Sequence, residues 1–198
     1  QMCIRDRNIN PRNWTAEFVR YAEFHVLSSE VTCTDTEAVL TFDGLFGAPA
    51  RFPMYLLKVV YTVSAGGVDV AVHAERHLDM LVTQIPRFAV EFVLRAGFET
   101  LEYFAKGPKA CYIDFQNHAK YGVYHSTVAE EYEPMIKPQE CGNHTAVRFA
   151  AVDNGVAGLL AVAPQGMECS ALHFTPADFL AANHTNELEA RPETCFNL

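Results

Sequence analysis

Apolar and polar side chains alternate along much of the first half of the chain. Over 68–75, Val68, Val70 and Val72 share one face, while Asp69, His73 and Glu75 lie on the other with Ala71. Over 87–95, Phe88, Val90, Phe92 and Leu94 face one way and Arg87, Glu91 and Arg95 the other. A period of two puts such apolar side chains on one side of a pleated strand. The run 54–63 sets Tyr55, Leu57, Val59, Tyr61 and Val63 on one face and adds Met54, Leu56 and Val60 on the other, which predicts a strand buried on both sides. The runs 22–28 and 37–46 alternate more loosely.

Turn signals separate these runs at short intervals: Thr34-Asp35, Gly47-Ala-Pro49, Gly66-Gly67, Gly97 and Gly107-Pro108. Gly66-Gly67 predicts a two-residue hairpin, because glycine supplies the positive φ that tight hairpins need. Short strands without long helical patterns between them predict an all-β, antiparallel sandwich. Helices are expected only as short pieces. Asn13 is placed to cap a turn over Trp14–Tyr21, and Thr175 to cap 176–183, with Pro176 at the first helical position. From Gly107 to about His144 no clean period exists, and the segment reads as irregular, rich in aromatic, charged and histidine residues.

Composition narrows the function classes. The 198 residues are 49% hydrophobic and 20% charged, which is the balance of a globular chain. A net charge of −9 and a pI near 5.3 argue against nucleic acid and anionic membranes as partners, and leave a neutral ligand such as a sugar unpenalised. The six cysteines, Cys3, Cys33, Cys111, Cys141, Cys169 and Cys195, form no C-x-x-C pair and read as reduced thiols of a cytoplasmic protein. Asn13, Asn143 and Asn183 match the glycosylation acceptor pattern by chance on this reading. No apolar run approaches the ~18 residues that span a bilayer. Residues 1–7 resemble translated sequencing-adapter sequence and are set aside as artefact, and the chain stops within what reads as a strand.

Candidate chemistry is dispersed. Retaining glycoside hydrolysis needs two carboxyl groups about 5–5.5 Å apart. Asp114, Glu130, Glu131, Glu133 and Glu140 are candidates by type, but no spacing selects a pair. His118, His125 and His144 match no zinc spacing, so no metal site is expected. Cys111 and Cys141 lack a nucleophile signature and read as buried small hydrophobes. A sugar site would use an aromatic face, for which Tyr103, Phe104, Tyr112, Phe115, Tyr121, Tyr124 and Tyr132 are available.

Two longer blocks are more specific. The segment Tyr103-Phe-Ala-Lys-Gly-Pro-Lys-Ala-Cys-Tyr-Ile-Asp114 resembles a signature of the C-terminal domain of glycoside hydrolase family 2 β-galactosidases. Gly107, Pro108, Tyr112 and Asp114 match, while Ala110 stands where that family has Glu. The block Glu131–Arg148 resembles the family's Pro-Gln-Glu-Asn-Gly-Asn-His-Thr followed by Asp, Val and Arg. Pro138, Gln139, Glu140, Gly142, Asn143, His144 and Arg148 match, and Cys141 and Ala146 depart. A weaker block runs from Phe174 through His184 to Glu187-Leu188. Near the start, Asn8, Asn10, Pro11, Arg12, Asn13 and Trp14 resemble a loop and helix beside the family's active site.

The resemblance implies a galactose-mutarotase-like antiparallel β-supersandwich over 8–198, truncated at both ends, from a cytoplasmic enzyme that hydrolyses β-galactosides such as lactose. It places the catalytic glutamates on an upstream barrel of ~250 residues, so this chain alone carries no catalytic residue and is expected to be inactive. The implied partners are the substrate and that barrel domain or large subunit, in a homo-oligomer when complete. No cofactor is expected on this chain; magnesium and sodium are expected for the whole enzyme. The family's sugar-stacking tryptophan falls on Cys195, or on Phe196 with a slip of one. Two rivals stand beside this reading. One is a free-standing mutarotase using His118, His144 and Glu140. The other is a non-catalytic carbohydrate-binding or assembly module.

Overall fold

A computed structural model describes residues 18–77 and 87–198, which fall into two compact units divided near Arg87. Both are built of antiparallel strands, so the all-β class expected from the alternating pattern is the one that folds.

The first unit opens with a 3-10 turn, Val19–Tyr21, which is the described part of the short helix expected at 14–21. It continues as a four-stranded meander of β1 (Glu23–Cys33), β2 (Glu37–Gly47), β3 (Tyr55–Ser64) and β4 (Gly67–Arg76), paired in that order. The tight hairpin sits one residue earlier than its glycine pair suggests. Ser64 pairs with Gly67, so Ala65 and Gly66 form the turn and Gly67, at φ 150°, opens β4. A bulge between Val26 and Ser28 shifts the β1–β2 register, and there β1 runs so close to Gly44 that a Cβ would lie 2.2 Å from the His25 carbonyl oxygen. Only glycine fits at that crossing. The expectation that β3 is buried on both sides fails. Leu57 is buried, but Leu56 and Val63 are 43% and 39% exposed. This unit holds a single sheet, and among its described residues no second layer covers both faces.

The second unit is a six-stranded sheet. Its strands are β5 (Glu91–Leu94), β6 (Thr100–Gly107), β7 (Lys120–Thr127), β8 (His144–Asp153), β9 (Gly158–Leu172) and β10 (Thr194–Asn197). The spatial order is β5-β10-β9-β8-β6-β7. The strand expected over 87–95 shrinks to four residues, with Val90 adding a two-way backbone pairing to Leu198. Phe88, outside that pairing, is exposed. The segment read as irregular contains β7, which pairs with β6 along its whole length. β7 is an edge strand whose inward positions are Gly122, Tyr124 and Ser126, too small or polar to print an alternating pattern.

The core of this unit gathers Leu101, Tyr103 and Ala105 of β6, Val147, Ala150 and Val152 of β8, Cys169 and Ala171 of β9, and Phe196 of β10. A smaller cluster of Cys141, Leu172, Phe174 and Phe179 forms around α1 (Pro176–Ala181). Thr175 caps α1 as expected, in a reciprocal box with Asp178, and the helix ends at Ala182, earlier than the pattern suggests.

Candidate functional site

The two motif blocks, far apart in sequence, interlock at the ends of β6 and β8. The construction starts at a short 3-10 turn, Val128–Glu131. Thr127 caps it, accepting from the Glu130 N–H at 3.3 Å, while the Glu130 carboxylate accepts from the Thr127 N–H at 3.2 Å. In a 3-10 turn, residues three apart eclipse. Val128 and Glu131 therefore point the same way, into the protein, and are 0% and 6% exposed.

There Glu131 meets His144, the first residue of β8. The His144 Nε2 lies 2.7 Å from Glu131 Oε2, and the Nδ1 lies 3.2 Å from the Lys106 carbonyl oxygen at the end of β6. Both ring nitrogens face acceptors, so both must donate, and His144 is an imidazolium. Burial works against that charge. Cys111, the Glu131 carboxylate and the Lys106 carbonyl outweigh it and hold the His144 pKa up at about 9. The Tyr103 ring stacks on the imidazole with centroids 4.1 Å apart, an aromatic face beneath a cation. Burial, followed by the Glu131 charge, pushes the Tyr103 phenol up, so it stays a neutral donor, to the Pro108 carbonyl at 3.2 Å.

Cys111 joins the two blocks. Its N–H donates to the Asn143 carbonyl at 2.7 Å, and the Asn143 side-chain amide returns a bond to the Cys111 carbonyl at 2.9 Å. The same amide reaches Glu168 Oε2 at 2.9 Å. The Thr145 N–H donates to Cys111 Sγ at 3.4 Å. Burial alone would raise this thiol; the neighbouring His144 and Thr145 outweigh it and lower it. Gly142 makes the approach possible. At φ 69°, it sits where a Cβ would lie 2.8 Å from the Glu131 carbonyl oxygen.

The other residues singled out by sequence fall around this lock or apart from it. Gly107 and Pro138 are buried, Pro108, Asp114 and Glu140 are exposed, and Tyr112 is half-buried, its backbone paired with Phe115. Gln139 donates to the Met135 sulfur and Arg148 to the Pro164 carbonyl. His118 bonds the Ala110 carbonyl at 3.1 Å, and His125 lies 3.5 Å from Glu102. Cys195 and Phe196 are both fully buried, the Phe196 ring within the core, so neither side chain faces solvent in this chain. Asn8, Asn10, Pro11, Arg12, Asn13 and Trp14 lie outside the described residues. Asn143 is 7% exposed with its amide engaged, a poor acceptor for a glycan. Pattern reading passed over Gln116 and Glu168, and gave Lys106 and Thr145, which lie within the motif blocks, no role of their own. Lys106 Nζ and Thr145 Oγ1 both reach the Gln116 side-chain oxygen, at 2.7 and 3.3 Å. Nothing in their spacing marks them, because the loop after β6 and the pairing of β8 with β6 and β9 bring them together.

Glu131 also borders a cleft of about 310 Å³ with Glu130, Glu133, Lys109, Ala110 and Ser126. Of the carboxylates proposed by type, three thus gather here, but the buried one is committed to His144. Among the described residues no group of three or more His, Cys, Asp or Glu side chains is arranged to hold a metal ion. No described helix is long and apolar enough to cross a membrane.

The most buried polar residues of this antiparallel all-β chain lock the end of one strand to another. Comparison with known proteins supplies the family. The family "Beta galactosidase small chain" matches residues 6–198. The β-galactosidase of Priestia megaterium is 33% identical over 108 residues, which are 54% of this chain and 10% of that protein. That of Staphylococcus xylosus is 26% identical over 192 residues, 96% of this chain and 19% of that protein. That of Halalkalibacterium halodurans is 31% identical over 137 residues, 67% of this chain and 13% of that protein. The chain belongs to the β-galactosidase small-chain family, and these matches span between a tenth and a fifth of the length of those relatives.

Proposed function

We propose that this chain is the non-catalytic wall of a β-galactosidase, with the hydrolytic carboxylates on a barrel domain or large subunit elsewhere in the enzyme. The substrates on this reading are terminal β-D-galactosides such as lactose, cleaved with retention. The supporting observation is the His144–Glu131 lock. The carboxylate best shielded from water in the motif region is bonded to the His144 imidazole at 2.7 Å, so it is not a free nucleophile. The same burial counts against the mutarotase rival, which needs His144 as an acid against a sugar ring.

The purified chain, offered o-nitrophenyl β-D-galactoside, is expected to release no o-nitrophenol above background. Turnover that co-purifies with the chain and disappears in Glu131→Gln would overturn the reading. Calorimetry with galactose separates the remaining rival. Saturable binding by the chain alone supports a free-standing carbohydrate-binding module; no heat of binding accords with a wall that needs its barrel.

A further inference from the structure

A short exposed turn, 154–157, joins β8 to β9 and begins with the one Asn-Gly step in the sequence. The Asn154 N–H donates to the Ala157 carbonyl at 3.1 Å, and Asp153 pairs with Gly158 across the hairpin. An asparagine is open to attack by the backbone nitrogen of the residue that follows it, which closes a five-membered ring on the side-chain amide carbon. Three things ordinarily hold that reaction back. The next side chain obstructs the approach, the peptide nitrogen is a poor nucleophile while it keeps its proton, and negative charge must develop on the amide oxygen.

This turn meets all three. Gly155 has no side chain, and apart from its chain neighbours no heavy atom lies within 4 Å of where a Cβ would sit. The Gly155 N–H donates to Asp153 Oδ1 at 2.8 Å, so a carboxylate already holds the proton that must leave, as a general base does. The Asn154 side-chain oxygen accepts from the Val156 N–H at 3.0 Å and the Ala157 N–H at 2.9 Å. Two backbone donors on an oxygen that is to become negative form an oxyanion hole. Base and electrophile do not compete for the nitrogen, because its N–H bond lies in the peptide plane and its attack runs perpendicular to that plane. Val156 is 95% exposed, so water reaches the turn. The bonds to Asn154 also close the hairpin as an Asx turn, a purely structural role that the test must separate from the chemical one.

We propose that Asn154 is a self-modification site, at which the Gly155 nitrogen, relieved of its proton by Asp153, closes on the Asn154 side-chain amide carbon. The proton passes to the carboxylate, the new C–N bond forms, and the Cγ–Nδ2 bond breaks. The leaving nitrogen takes the proton back from Asp153 and departs as ammonia. Water then opens the cyclic imide at either carbonyl. One opening leaves an aspartate at position 154; the other leaves an isoaspartate, with the main chain routed through the former side chain. Both add a negative charge beside Asp153, and the second lengthens the backbone of the β8–β9 hairpin.

The test incubates the 198-residue chain at neutral pH, native and unfolded in guanidinium chloride. Beside it stands Asp153→Asn, which keeps a side-chain oxygen for the Gly155 N–H but removes the base. Peptide mass spectrometry reads conversion at each asparagine, and methylation by an isoaspartyl methyltransferase reads the rearranged product. Conversion at 154 is expected to be at least about tenfold faster in the native chain than in the unfolded one. Native Asp153→Asn, with a circular dichroism spectrum like the parent's, should fall to the unfolded rate. Asn117, exposed but followed by His118, should stay unconverted over the same period. A native chain that converts no faster than the unfolded one overturns the proposal and leaves an Asx turn. Equal native rates in the parent and Asp153→Asn overturn the assignment of Asp153 as the base.

Discussion

His144 and Glu131 set the chemistry at the scale of single residues. A buried ion pair contributes little relative to apolar replacements, yet removing one partner strands the other charge. Glu131→Gln is therefore expected to destabilise the chain by about 3–5 kcal/mol, read from urea unfolding. Loss below 1 kcal/mol would mean that the pair is not formed. The pH dependence has a definite sign. His144 titrates at about 9 when folded, against an ordinary value of about 6.5, so its contribution is complete below pH ~6.5 and is lost as pH rises through about 9. Melting temperature should fall between pH 7 and 10 in the parent and fall less in His144→Gln. A parallel decline in both would place the alkaline loss elsewhere. Gly142 is as constrained. Gly142→Ala meets both a positive φ and the Glu131 carbonyl, and should cost about 1–3 kcal/mol. The identities of these residues were legible in the sequence, because the motif block names Gly142 and His144. Their roles were not. Glu131 is 13 positions from His144 and Lys106 is 38, and neither separation matches the period of a helix or strand.

Elements show the same division. β2, β3 and β4 were legible because their side chains alternate and Ser64–Gly67 closes a tight turn. What period could not give was coverage: an apolar strand reads as buried on both faces, but burial depends on layers that alternation does not encode. β7 was illegible because an edge strand with Gly122, Tyr124 and Ser126 inward carries no apolar stripe. α1 was legible from its cap. Thr175→Ala removes that cap and should cost about 1 kcal/mol. A second tie holds the helix: Arg191 reaches the Asp178 carboxylate through two nitrogens, and that bond, foremost, keeps the Asp178 pKa well below the usual carboxylate range. A folded value below the unfolded one means stability that is present above pH ~3.9 and lost as pH falls further. Proteolysis at α1 in Asp178→Asn should match that of the parent at low pH. Unchanged resistance in the variant at pH 7 would show that the tether does not hold the helix.

At the scale of the whole molecule, the acidic composition argues against nucleic acid and anionic membranes as partners, and the motifs identified the β-galactosidase small-chain family. Neither gives a catalytic pair. Among the described residues, the acidic cleft beside Ala110 is bordered by a carboxylate already bound to histidine, and the polar interior joins strand ends. On the proposed function the chain works by its shape, with the bond-breaking chemistry elsewhere in the enzyme.

The most direct test is the turnover of o-nitrophenyl β-D-galactoside by a chimera of the Staphylococcus xylosus enzyme that carries this chain in place of its matching 192-residue segment, set beside the same enzyme with that segment deleted. The account predicts a folded but inactive deletion and a chimera with activity restored at least tenfold above it. A deletion that hydrolyses the galactoside as fast as the chimera would contradict the claim that this domain completes the sugar pocket.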